Sequence, residues 1–158
     1  MALTGCFAAD LADAITADLN AAEFSQAFTA TRPKTWEIHY SEEDLKTLRV
    51  TVVPALVTVD VETRDDDLLL QSIDIGVQKW TGHTGDKDPL GRLAEEVRDH
   101  FHGMPELTVG TQIVHCRKRD FIASESAMVD KKHSQDFGVF TAVLRTTWEV
   151  IGEVTEDE

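Results

Sequence analysis

Six histidines and two cysteines are the residues of this chain whose types most often carry chemistry. His100 and His102 lie two apart in a stretch of helical spacing, so their rings point in different directions. Zinc-binding helices use spacings that put both rings on one face. His39, His83, His115 and His133 add no cluster, and all six are read as surface or packed histidines. Cys6 and Cys116 are far apart and have no flanking motif that would activate a thiolate. The run Asp65-Asp66-Asp67 lacks the alternating ligands and terminal glutamate of a calcium loop. Phosphate loops, GxSxG, paired CxxC and HExxH are absent. With 29 acidic residues, carboxylate pairs occur throughout and single out no acid–base couple. The sequence names no catalytic residue, metal ligand or cofactor motif, and an enzyme is not the expectation.

One group stands apart. Arg117-Lys118-Arg119 puts three adjacent positive charges into a chain of formal charge −14. The plainer reading is a strand end neutralised by neighbouring acids. The alternative is a subunit contact, in which this run meets acids such as Asp65 to Asp67 of a neighbouring copy, with Arg64 beside them a further candidate contact. The acid excess also bears on partners. It repels nucleic-acid phosphates, which argues against sequence-specific nucleic-acid binding, and it is equally satisfied by solubility alone.

The elements that position these residues follow from periodicity. At 158 residues and 42% hydrophobic the chain is long enough for one real core. A single domain is expected over 1–151, with 152–158 a short, acidic, frayed tail. The dominant feature is a long hairpin, Leu48 to Trp80, reversing at Arg64-Asp65-Asp66-Asp67. Leu48, Val50 and Val52 alternate with polar residues before the tip, as do Val57, Val59 and Val61. Leu69, Ile73, Ile75 and Val77 share one face after it. With no room for a helical crossover, the two arms are antiparallel. Pro54 suggests a bulge in the first arm. The second arm, Leu68 to Trp80, would span roughly 43 Å. A strand of that length either bends, with Gly76 as pivot, or projects and is supported by another subunit.

A first helix is predicted over Phe7 to Glu23, with a narrow stripe of Leu11, Ile15 and Leu19 and a wet side of Asp10, Asp13, Thr16 and Asp18. Phe24 to Tyr40 reads as a strand interrupted at Pro33, either at an edge or bulged. Ser41 caps a helical turn before the hairpin. Asp88 caps a second helix with Pro89 in its first turn, Leu90, Leu93, Ala94, Val97 and Phe101 on one face, and Gly103 as its stop. Thr111 to Ile122 is a strand carrying the basic run, and 123–136 is irregular. A last strand sets Phe140, Ala142, Leu144, Thr146, Trp148 and Val150 on one face. The fold class is α+β: a mainly antiparallel sheet with a long β-hairpin and two α-helices packed on one face. Two isolated cysteines fit a reducing compartment. The N-terminus lacks the basic and apolar regions of a signal peptide, and no apolar stretch approaches the roughly 20 residues of a membrane span.

This order of elements resembles the tail terminator, or tail completion, proteins of long-tailed bacteriophages. Three passages carry the resemblance: Asp10-Leu11-Ala12-Asp13-Ala14-Ile15 in the first helix, Ser72-Ile73-Asp74-Ile75-Gly76-Val77-Gln78-Lys79 in the hairpin, and the closing strand Phe140 to Val150. None is a diagnostic motif, and 123–136 has no counterpart. The resemblance implies a structural virion protein made in the host cytoplasm. Its subunits form a homo-hexameric ring that caps the tail tube and joins it to head-completion and neck proteins. It implies no cofactor and no catalytic residue. The alternatives are another neck component, such as a head-completion stopper or a tail-tube-associated protein, or a small cytosolic enzyme with a site invisible in sequence.

Overall fold

Alternating apolar and polar residues on either side of an acidic reversal build the centre of the molecule. The computed structural model describes residues 5–37, 40–61, 67–103, 106–122 and 138–153, with backbone alone at 56–61 and 67–69. The elements run α1 (Phe7–Ala21), β1 (Ala30–Thr31), a short 3-10 turn (Asp44–Lys46), β2 (Arg49–Val61), β3 (Asp67–Trp80), α2 (Asp88–His102), β4 (Leu107–Val109), β5 (Gln112–Phe121) and β6 (Val139–Glu153). One six-stranded sheet has the order β1-β2-β3-β6-β5-β4. Only β1 and β2 are parallel; every other neighbouring pair is antiparallel. The α+β class is as the periodicity implied.

The hairpin arms are antiparallel, and their register slips between Pro54 and Val57, where proline cannot donate to the ladder. Pairing runs through Gly76 without a break on either side, opposite Thr51 and Val143. β3 is accompanied by β6 from Leu70 to Trp80, so most of its length is supported within the same chain. Val59–Val61 and Asp67–Leu69 pair with each other alone among the described strands. The tip residues Arg64, Asp65 and Asp66 lie outside the described residues, and Asp67 begins β3.

Both helices join one core with a single face of the sheet. Leu11, Ile15, Leu19, Leu93, Val97, Phe101, Ile73, Ile75, Leu144 and Trp148 are all buried in it. α1 touches both edge strands, β1 and β4, as well as β2 and β3. The sheet therefore curls round α1, which buries a broader surface than a narrow stripe. Asp10, expected on the wet side, is buried with Ala9, Ala12 and Ala14. The positive charge of Arg32 lies close enough to interact with it.

The segment before β2 departs from expectation. The edge strand is only Ala30–Thr31, and Trp36 turns with φ of 60° instead of extending towards Ile38, which lies outside the described residues. Pro33 ends the strand after two residues because it has no N–H for a ladder. Ser41 does cap the next turn. Its Oγ accepts from Asp44 N–H, and the Asp44 carboxylate accepts from Ser41 N–H, both at 3.2 Å. Hydrogen bonding to the carboxylate from the Ser41 N–H first, and from the Ser41 side chain, holds the Asp44 carboxyl below the usual carboxylate range.

α2 buries the five residues read from its spacing and stops at Gly103. Its cap is displaced: Asp88 is already helical, and Asp86 Oδ1 accepts the Asp88 N–H at 3.0 Å. Gly110, with φ of 62°, opens a two-residue turn between β4 and β5, a position where glycine costs nothing. β6 extends through Glu153, two residues into the stretch read as a tail; 154–158 and 123–136 fall outside the described residues.

Candidate interaction surface

The face of the sheet turned away from the helices carries a polar lattice. It follows from period-two alternation: with Ile73, Ile75, Ala142 and Leu144 turned inward, Ser72, Asp74, Gln78, Thr141, Arg145, Thr147 and Glu149 must turn outward. Opposed residues on β3 and β6 bond to each other. Gln78 Nε2 donates to Thr141 Oγ1 at 3.4 Å, Arg145 clasps Asp74, and the hydroxyls of Ser72 and Thr147 meet at 3.2 Å. Further out, Glu149 holds His115 Nε2 at 2.7 Å and Arg117 Nη1 at 3.5 Å. The Asp74 hydrogen bond raises the Arg145 pKa above the ordinary guanidinium value, which keeps this guanidinium charged.

At the β2 margin, the segment after residue 40 lies across this face. Tyr40 Oη and Thr51 Oγ1 are 2.6 Å apart, Leu45 is buried, and Arg49 Nε donates to the Asp44 carbonyl at 2.9 Å. Among the described residues of this face, Arg145 pairs with Asp74, Arg117 with Glu149, Lys118 with Asp120 and Arg49 with Asp44, on a chain of charge −14.

The basic run is not one patch. The register of β5 slips between Cys116 and Lys118, which makes Arg117 the extra residue of a bulge. Arg117 and Lys118 stay on the outer face, where Lys118 reaches Asp120 at 3.4 Å and is 72% exposed. Arg119 opposes Thr146 and turns to the helix side, where its Nη2 donates to His102 Nδ1 at 2.7 Å, just at the C-terminus of α2. The reading of a strand end neutralised by its surroundings therefore describes Arg117 and Lys118 through Glu149 and Asp120. Arg119 is a helix-end contact that three adjacent letters could not reveal, because strict alternation would set it on the outer face with Arg117 and the bulge turns it inward instead.

The two sheet edges are treated differently. At β1, the Asn20 amide acts as a substitute strand: it donates to Ala30 carbonyl at 3.1 Å and accepts Ala30 N–H at 2.7 Å. At the other edge β4 covers only Gln112 to Val114. From His115 to Phe121, β5 has β6 on one side and no strand on the other among the described residues.

The chemistry-bearing residues stay apart. His100 Nε2 meets Asp18 at 2.5 Å between the two helices, and His102 meets Arg119 on the sheet side, so the rings do diverge. No group of three or more metal-ligating residues occurs among the described residues. Neither cysteine is in a disulfide; Cys6 is exposed and Cys116 buried, and burial pushes the Cys116 thiol above its ordinary pKa. Two open clefts of about 310 and 450 Å³ flank Gln26, one lined by Phe24 and Phe28, the other by Asp86, Asp88 and Arg92. Ser25 ties this loop to α2, its N–H donating to the Glu96 carboxylate at 3.1 Å. No helix of the described residues is long and apolar enough to cross a membrane.

No protein-family model matches the chain, and no curated protein matches its sequence.

Proposed function

We propose that this chain is a ring-forming structural subunit of a phage tail terminator, at the junction between tail tube and head. The observation that carries this reading is the far end of the β2–β3 hairpin, where Val59–Val61 and Asp67–Leu69 have only each other as partners among the described strands. A two-stranded ribbon is marginal in water, and a neighbouring subunit supplies the surface it lacks. The order helix, hairpin, helix and closing strands, which resembles that of those proteins, supports the same reading. A sheet face whose described charges pair off within the chain, on a molecule of charge −14, is further support, since like-charged copies approach each other with less repulsion there.

Native mass spectrometry tests it. The intact protein at micromolar concentration should give a six-subunit species. A shortened chain, with Thr58 joined to its register partner Leu70 through Asn-Gly, should remain a folded monomer. An intact protein that is only monomeric overturns the ring; an undiminished ring from the shortened chain overturns the part given to the hairpin.

A further inference from the structure

The outer face of the sheet has two margins of opposite charge. On the β5 margin Arg117 and Lys118 project, with side chains 42% and 72% exposed. On the β2 margin the turn leading into that strand carries Glu42 and Glu43, both exposed, the Glu43 side chain at 82%. Strands β3 and β6 lie between, so the margins are roughly 14 Å apart at ordinary strand spacing. Between them the lattice neutralises itself, through Asp74 with Arg145 and Ser72 with Thr147. Two intrachain pairs at these margins are exposed and therefore weak, Glu43 with Lys46 at 2.9 Å and Lys118 with Asp120 at 3.4 Å, and Arg117 reaches the more covered Glu149 only at 3.5 Å. Such pairs exchange for better ones at little cost.

We propose that a second copy of this chain docks on this face, with the Arg117–Lys118 margin of one copy meeting the Glu42–Glu43 turn of the next. The proposal rests on the ring reading above and assigns its contact. A patch that meets a different patch on the next copy is a heterologous contact, which closes into a ring when the rotation allows. Contact is through side chains rather than strand addition, because the β5 edge presents a bulge and a lysine, devices that discourage indiscriminate pairing. Charges at such a margin set the partner and the register.

Charge exchange tests it. R117E/K118E makes both margins acidic, and E42K/E43K makes both basic. Each variant alone should lose assembly in native mass spectrometry at low salt. Mixed one to one, they should regain it in strict alternation, and the fourfold variant should assemble by itself. Recovery on mixing also shows that both variants fold. A wild-type ring that persists in R117E/K118E overturns the contact and leaves the ring reading standing. Alternating two-chain species in the mixture support the contact and overturn the ring. Duplex DNA bound by the wild type and released by R117E/K118E overturns the contact, giving that margin to phosphates instead.

Discussion

Asp74 and Arg145 sit directly opposite each other on β3 and β6, and the guanidinium meets the carboxylate through two bonds, Nε to Oδ1 at 2.8 Å and Nη2 to Oδ2 at 2.9 Å. A bidentate fork in register with the strands fixes the pairing as well as the charge. Arg145→Ala leaves the partly buried Asp74 unpaired and should cost about 1–2 kcal/mol. A double-mutant cycle with Asp74→Ala, read by urea denaturation, measures the coupling; a coupling of zero rejects the role.

Trp148 is the largest side chain in the core and is 1% exposed. Its indole N–H donates to Thr146 Oγ1 at 2.7 Å, and that hydroxyl donates to the Ile73 carbonyl at 2.9 Å. The ring meets Phe101 of α2 edge-on at 5.8 Å. Trp148→Ala should destabilise by about 3–5 kcal/mol. Thr146→Val keeps the volume but orphans the indole N–H, and should cost about 1–3 kcal/mol. Thermal denaturation ranks them, and a Thr146→Val protein as stable as wild type would deny the hydroxyl its part.

Asn20 protects the β1 edge. Asn20→Ala uncovers both backbone groups of Ala30 and should lower stability by about 1–2 kcal/mol. It should also raise concentration-dependent aggregation, since an uncovered edge is a template for pairing. Light scattering at matched fractions folded separates the second effect from the first.

The Cys116 thiol has its pKa raised by burial from an ordinary 9.0. Its stabilising contribution is therefore fully present below that value and is lost as pH rises through the folded pKa. The stability gap between wild type and Cys116→Val should stay constant below pH 9.0 and shift against the wild type above it. Urea midpoints across that range check the sign. At neutral pH a thiol reagent should label Cys6 alone until the protein unfolds.

How much of this was legible in the sequence depends on what each feature needed. Alternation in Ile73, Ile75, Leu144 and Trp148 and helical spacing in Leu93, Val97 and Phe101 gave the inward faces, because each element reports its own periodicity. The burial of Asp10 was not legible, since it depends on the curl of a sheet whose strands come later in the chain. Nor was the grouping of Arg117 with Lys118 on the outer face and of Arg119 on the inner, which follows from a one-residue register slip. Of the candidate contacts, Arg64, Asp65 and Asp66 lie outside the described residues. The edge protection by Asn20 had no signal at all: an asparagine near a helix end reads as an ordinary polar residue.

The strand order has one more consequence. β6, which comes last among the strands, lies in the middle of the sheet between β3 and β5. On the ribosome, β2 and β3 can zip together early, but β4 and β5 have no place to dock until Val139–Glu153 emerges. At roughly 5–20 residues per second, the nascent chain carries the unsatisfied edge of β3 and the apolar face of α2 for several seconds. A stalled chain ending before Val139 should hold a holdase chaperone or an apolar dye, and one with Glu153 clear of the exit tunnel should release it.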